Sequence, residues 1–420
     1  MILENDKIAF RRENLQKEVS EMEVTITPLS PPPSIQIVER KGIGHPDVLA
    51  DSIAEVASIA YSSYCLKNFG TVLHHNFDKV VVRGGLAKSE FGSGTMQAPV
   101  MIEINGRCSD CFGNQQIPFQ DIIEEAVKRF LARILPHLKP RWVNIEFKTT
   151  TFSHSQYWFR PRDITDVPDA FKPHANDTAL TIGYWPLSPT EELALKIEKL
   201  FYLPNGQPKY SQIGQDIKIL IHQTPTNLTI IMCVPLIAQL THSSQEYQDT
   251  IEQIHEDVKN CVLESELGIR KINLFINTAD KRKRPESHYL LVTGSCLEAG
   301  EEGVVGRANP LQGVIASFRP HSVEAPFGKN PQYHVGKVWG FLAQKVAWYL
   351  SQVLNSPVEV QIINRNGDDL LDPYNISIAT TQEVSPEEIE SEIKKLIEAT
   401  DYRSELLKGA VIPKVGGWQP

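Results

Sequence analysis

The chain has 420 residues, 41% of them hydrophobic, with 51 acidic against 42 basic side chains and a formal net charge of −9. At roughly 100–200 residues per domain, that length suggests two to four domains. The acidic balance argues against general affinity for nucleic acid or acidic membranes, and no run approaches about 18 uninterrupted apolar residues, so no membrane-spanning helix is expected. Residues 1–20 mix Glu, Asp, Lys and Arg without an apolar core, which reads against a secretory signal and for a cytoplasmic protein. The six cysteines are scattered, and only Cys108 and Cys111 stand at C-x-x-C spacing, so reduced thiols are a simpler reading than a structural zinc.

In chain order, residues 1–33 are polar and end in Ser30-Pro31-Pro32-Pro33, a composition that predicts a flexible, extended arm. The folded part is expected from Ile35. Leu49, Ile53, Val56, Ala57, Ala60 and Tyr64 recur at helical spacing, with Pro46 at the first helical position, where its missing N–H costs nothing. Strand-like stretches follow at 79–82, 100–104 and 143–149, with an amphipathic helix over 121–135. Next come strands at 179–185, 217–221 and 228–234 and helices over 189–201 and 244–263. Last come strands at 272–277, 289–293, 358–363 and 376–380 and helices over 333–354 and 386–398. Ser188-Pro189-Thr190-Glu191 and Ser385-Pro386-Glu387-Glu388 read as capping boxes that each follow a strand, a hint of repeated strand-to-helix units. Alternation such as Val143-Asn144-Ile145-Glu146-Phe147-Lys148 fits sheets with one buried face, hence α+β layers. No strand is followed by G-x-G-x-x-G or G-x-x-x-x-G-K-[ST], so neither a Rossmann site nor a P-loop is supported.

Charged chemistry concentrates in two places. Glu39-Arg40-Lys41-Gly42-Ile43-Gly44-His45-Pro46-Asp47 packs cations, glycines, a histidine and a carboxylate into a helix start, where free N–H groups and the helix dipole favour an anion. Asp47 in such a site implies a bridging metal, Mg²⁺; the alternative is an ordinary helix start with Asp in its first turn. Glycines also alternate with acids and bases across 298–337, as backbone approaching a polyphosphate requires, against the alternative of a long surface loop. Asp177 could face a ligand at a strand edge or serve as a turn residue. His74-His75 reads as a packed pair rather than metal ligands, and the basic run Lys281-Arg282-Lys283-Arg284 as a solvated loop.

The segments ERKGIGHPD, LHHNFD, VRGG, HANDT with GYWPLS, IGQDIK, INTAD, VTGS, EEGVVGRAN, FRP and GKNPQYHVGK, in that order and spacing over about 35–364, resemble the archaeal-type S-adenosylmethionine synthetases. The resemblance implies three similar α+β domains, each a mostly antiparallel or mixed sheet covered on one face by helices, in a pseudo-threefold arrangement. The regions expected here are 34–175, 176–270 and 271–420, with strands exchanged between them. It further implies a homodimer with sites at a flat sheet-to-sheet interface, and a two-step reaction. Methionine sulfur attacks the ribose 5′ carbon of ATP and expels tripolyphosphate, which is then cleaved to diphosphate and phosphate. Mg²⁺, two ions, and K⁺ are the implied cofactors, and ATP and methionine or a related thioether the partners.

Carried over by position, His45 and Gly44 lie at the leaving oxygens, and Asp47 and Glu301 hold Mg²⁺. Asp177 contacts the methionine amine or the adenosine, Lys218, beside Asp216, reaches the phosphates, and Arg307, Lys329 and Lys337 clamp the chain with Arg319 in support. The chain departs from the family pattern at three places. Thr150-Thr151-Phe152-Ser153-His154-Ser155-Gln156 stands where a G-Q-G-S gating loop is expected; Glu301 and Glu302 replace aspartates; Gly306-Arg307-Ala308-Asn309-Pro310 lacks a second arginine. Three alternatives follow: a homologue with altered nucleotide or thioether, a non-catalytic regulatory partner of a true synthetase, and a triphosphatase without transfer activity.

Overall fold

A computed structural model describes residues 22–265, 267–282 and 288–420. In chain order it runs β1 (Glu23–Pro28), β2 (Gln36–Lys41), α1 (Pro46–Phe69), β3 (His75–Asn76), β4 (Val81–Arg83), the hairpin β5 (Leu86–Glu90) and β6 (Ser93–Ala98), β7 (Val100–Cys108), the short hairpin β8 (Cys111–Phe112) and β9 (Gln115–Gln116), α2 (Phe119–Ile134) and β10 (Val143–Thr150). Then come β11 (Ala179–Trp185), α3 (Pro189–Lys199), β12 (Lys218–Gln223), β13 (Asn227–Cys233), β14 (Leu236–Ile237) and α4 (Ser244–Leu263). Last are β15 (Lys271–Ile276), β16 (Leu290–Leu291), β17 (Gly303–Val304), β18 (Ile315–Ala316), α5 (Val335–Leu354), β19 (Val358–Asn364), β20 (Asn375–Thr380), α6 (Pro386–Ala399) and α7 (Tyr402–Leu407). Both expected capping boxes form, Ser188 with Glu191 and Ser385 with Glu388, each with proline in the first turn.

One unit, a mixed sheet with a helix pair on one face, is built three times. The sheet β10–β7–β4–β17, with β3 on β7, packs Val82, Ile102 and Ile104 against Leu49, Ile53 and Tyr61 of α1 and Val127 of α2. The sheet β15–β13–β12–β2–β18 packs Val38, Ile219 and Ile230 against Leu193 and Ile197 of α3 and Tyr247, Ile254 and Val258 of α4. The sheet β1–β20–β19–β11 packs Val360, Ile362, Ile376 and Ile378 against Val338, Leu342 and Val346 of α5 and Ile389 and Ile393 of α6. Each fully buried Val, Leu or Ile contributes about 1.5–3 kcal/mol. The uncovered faces keep apolar residues: Leu180, Ile231, Phe275 and Ile363 are each 40–41% exposed.

Strands cross between regions. β2 pairs with β12 and β18, β11 with β19, and β17 with β4. These exchanges carry the ends of β2, β12 and β17 to the start of α1. Two elements differ from expectation. The arm expected through residue 33 is, from Glu23 to Pro28, a strand parallel to β20, because Val24 and Ile26 turn onto the α6 side of that sheet; residues 1–21 lie outside the described residues. The strand expected at 289–293 shortens to Leu290–Leu291, since the N–H groups of Val292 and Thr293 donate to the Glu298 carboxylate at 2.6 and 2.5 Å instead of to a neighbouring strand. The basic run leaves Lys283 and Arg284 outside the described residues.

Candidate active site

β2 ends at Lys41 and the chain turns through Gly42 and Gly44 into α1. Both N–H groups are taken, Gly42 by the Ile217 carbonyl at 2.7 Å and Gly44 by that of Gln215 at 3.0 Å. A Cβ on either would stand 2.6 Å from backbone of the lead into β12. The glycines are therefore there for close chain packing, and the Gly44 N–H is not a free anion donor as its position in the motif suggests. His45 caps α1: its Nδ1 accepts the Asp47 N–H at 3.1 Å. Burial pushes the His45 pKa down to about 4, against the pull of Asp47 and aided by Lys41 and Lys218. A neutral ring whose Nδ1 accepts carries its proton on Nε2, so His45 offers an N–H donor.

Around this donor the fold gathers ionic groups from four segments. Asp47 takes the Val304 N–H on Oδ1 at 3.1 Å and Lys41 Nζ on Oδ2 at 3.0 Å. Lys41 Nζ also reaches the Arg307 carbonyl at 2.6 Å, and the Asn309 side chain holds the Lys41 backbone at 2.7 and 3.0 Å, tying the 303–310 segment to the end of β2. Arg307 itself is exposed. Lys218 lies opposite Lys41 in the β2–β12 register, its Nζ 3.2 Å from Glu39. Asp216 is buried with the Cys296 N–H on Oδ2 at 2.8 Å; burial raises its pKa to about 6, and the Glu301 charge adds to the rise. The structure thus sets His45 beside Asp47 and Lys218 and Asp216 beside Glu301, with only the backbone of Arg307 shown at the cluster; Lys41 and Glu39 join them, residues the motif contains without revealing their roles.

Behind them runs a row that sequence periodicity does not single out. Asp47, Asp51 and Glu55 recur every four residues on one face of α1, and their carboxylates accept the N–H groups of Val304, Gly306 and Gly328. Burial holds the Asp51 pKa well above the usual carboxylate range. Glu55 pairs with Lys337, Nζ to carboxylate 2.6 and 2.8 Å, both side chains fully buried. Lys337 is therefore a committed ion-pair partner and not an available phosphate clamp. Lys329 pairs with Glu324, and its carbonyl meets Ser58 Oγ at 2.9 Å.

Two further residues stand apart from the cluster. Arg319 lies over the Tyr184 ring at 4.4 Å and bonds Glu191, Glu359 and the Pro186 carbonyl at 3.1–3.2 Å, so its guanidinium fastens β11, α3 and β19 together rather than supporting a phosphate chain. Asp177 is exposed just before β11, its Oδ1 on the Thr178 N–H at 2.8 Å.

His74 and His75 are packed. His75 meets Ser58 Oγ at 2.8 Å and the Leu73 carbonyl at 3.0 Å, while His74 stacks on Trp158 at 3.9 Å. Among the described residues no group of three His, Cys, Asp or Glu is disposed to hold a metal ion. Mg²⁺ usually takes one or two protein carboxylates and completes its shell with water and substrate phosphate; of the two expected ligands, Asp47 is engaged by Lys41 and the Val304 N–H, and Glu301 is exposed. The divergent 150–156 segment leaves β10 with Phe152 79% exposed, and Trp158 anchors its far end.

A model of the S-adenosylmethionine synthetase (AdoMet synthetase) family matches residues 19–409. An uncharacterized protein of Streptococcus pyogenes serotype M3 is 40% identical over 364 residues, 85% of this chain and 88% of that protein. The S-adenosylmethionine synthase of Thermoplasma volcanium is 34% identical over 376 residues, 88% of this chain and 90% of that enzyme. Among solved structures, an unusual S-adenosylmethionine synthetase from Campylobacter jejuni shares the fold, with a TM-score of 0.58 at 16% identity over 90% of each chain.

Proposed function

The chain belongs to the S-adenosylmethionine synthetase family of transferases, and from that premise we propose that it transfers the adenosyl group of ATP to the sulfur of methionine. In this reading the thioether sulfur attacks the ribose 5′ carbon, the C–O bond to the phosphate chain breaks, and tripolyphosphate leaves to be hydrolysed to diphosphate and phosphate. The observation that carries the proposal is the gathering at the start of α1 of a neutral histidine donor with Lys41 and Lys218, beside the backbone of Arg307. The nucleophile belongs to the substrate, so the protein needs no activated Ser or Cys; its task is to neutralise charge that appears on the leaving oxygens. His45 donates from Nε2, and Lys218 and Arg307 supply positive charge. Lys41 is pinned between Asp47 and the Arg307 carbonyl and holds the cage in shape. Asp47 and Glu301 would hold Mg²⁺, which when bound neutralises phosphate oxygens as a Lewis acid. The half-exposed apolar side chains on the uncovered sheet faces support a homodimer.

His45→Ala and Lys218→Ala test the assignment. Removing one such donor costs about 10²–10³ in rate, while loss of the His45 cap costs the fold only about 1 kcal/mol. Full turnover in a folded His45→Ala protein rejects the site. A second reading rests on the 150–156 segment: its sequence lacks the expected glycines and it is exposed at Phe152, which favours a different thioether or base beside the same phosphate cage. A screen varying nucleotide and thioether independently separates the two.

A further inference from the structure

On the far side of the 42–45 turn lies a cavity of about 800 Å³, bounded by the end of α2, the 202–208 loop after α3 and the 408–415 segment after α7. None of His45, Asp47, Lys218, Glu301 or Arg307 lines it. Its charged lining residues are Arg133, Lys199, Lys408 and Lys414, all cations, with no carboxylate among the described residues that line it. In a chain of net charge −9 that arrangement is unusual. Some helix cations elsewhere are neutralised locally, as Lys128 is by Glu124 and Lys345 by Glu405, whereas these four have no ion-pair partner among the described residues.

Like charges gathered around a concave, low-dielectric wall focus a positive field and concentrate anions. The carboxylate next to Lys199 in sequence, Glu198, is fully buried and already held by Arg40 at 2.8 Å. Lys199 is also positioned: its stem lies against Gly416, whose φ of 78° admits no side chain without strain and where a Cβ would collide with it. The remaining wall mixes apolar groups, Phe130, Tyr202 and Ile412, with the amide of Gln215, a residue 3% exposed whose Oε1 has no partner among the described residues. The volume lies inside the range of about 300–1,000 Å³ usual for small-ligand sites.

We propose that this cavity binds a small organic polyanion of the nucleotide class, its phosphates on Lys199, Lys408, Lys414 and Arg133 and its apolar body on Phe130, Tyr202 and Ile412. The site is separate from the reaction site and shares one wall with it. Gln215 lines the cavity, and its carbonyl receives the Gly44 N–H that sets the entry into His45.

The test is calorimetric titration of the full chain with ADP in EDTA, which removes the divalent ion the reaction site uses. An ADP-binding event is expected in wild type and in His45→Ala/Arg307→Ala, weakened about tenfold or more in Lys199→Glu/Lys408→Glu through loss of charge-assisted hydrogen bonds. Inorganic diphosphate should bind the same site more weakly than ADP, because it leaves the apolar wall uncovered. Hydrogen exchange of the wild-type chain with ADP should slow at 202–208 and 408–415, a readout that does not depend on the charge-reversed variant folding. Equal ADP affinity in wild type and Lys199→Glu/Lys408→Glu, absence of that protection, or diphosphate binding as tightly as ADP would overturn the proposal. None of these results depends on whether the chain makes a sulfonium product.

Discussion

Replacing Lys337 by methionine distinguishes a buried structural pin from a phosphate ligand. Lys337 and Glu55 are both fully buried, with Nζ 2.6 and 2.8 Å from the two carboxylate oxygens. The substitution keeps the side chain up to its terminal atom and removes its charge, leaving the Glu55 carboxylate, among the described residues, with the Gly328 N–H at 3.0 Å. Breaking a buried pair from one side costs about 3–5 kcal/mol, much of it the desolvation of the stranded charge. The double variant Glu55→Gln/Lys337→Met removes that charge too, keeps an oxygen for Gly328, and should recover at least half of the loss. Urea denaturation followed by tryptophan fluorescence at fixed protein concentration suits the measurement, because Trp339 lies fully buried two residues along the same helix. A Lys337→Met loss below about 1 kcal/mol, or a double variant no more stable than the single one, would refute the reasoning and return Lys337 to the phosphate cage.

Three further outcomes follow from the same geometry. Arg319→Ala should cost about 2–4 kcal/mol through its bonds to Glu191 and Glu359 while leaving the KM for nucleotide unchanged; a raised KM at full stability would contradict the structural role, and denaturation with steady-state kinetics reads both. Burial pushes the pKa values of His74 and His75 down to about 3. Their folded-state pKa lies below the unfolded value, so the stability they contribute is complete above about pH 6.5 and is lost as pH falls toward 3, about 2 kcal/mol each at pH 5. His74→Phe should therefore lose less stability than wild type between pH 8 and pH 5, and equal losses would count against burial as the cause. Glu301→Gln should raise the Mg²⁺ concentration for half-maximal rate about tenfold or more, and an unchanged Mg²⁺ titration would remove Glu301 from the metal site.

Local signals made much of the fold legible. Ser188 and Ser385 announce α3 and α6 through their capping boxes, and the apolar spacing from Tyr247 to Val262 marks α4 to its ends. β1 was hidden because Val24 and Ile26 are two apolar residues in a polar stretch that ends in three prolines, and only pairing with β20, some 350 residues away, makes them a strand. At the site, the motif brought out His45, Asp47, Lys218 and Arg307. It could not separate an exposed cation such as Lys218 from one locked in a buried or multiply bonded pair, because Glu55 and Glu191, the partners of Lys337 and Arg319, lie 282 and 128 residues away. Asp51 and Glu55 escaped notice for a related reason. A carboxylate every four residues looks like a solvated helix face until the neighbouring backbone N–H groups bury it.

The central claim is that a phosphate-neutralising cage around His45 serves adenosyl transfer. Incubating the purified chain alone with ATP, methionine, Mg²⁺ and K⁺, and following sulfonium product and phosphate together, tests it most directly. The account predicts S-adenosylmethionine together with diphosphate and phosphate from the wild-type chain, and loss of all three in His45→Ala. Phosphate release that is independent of methionine, or no product from a folded chain, would contradict it and leave a triphosphatase or a non-catalytic partner in its place.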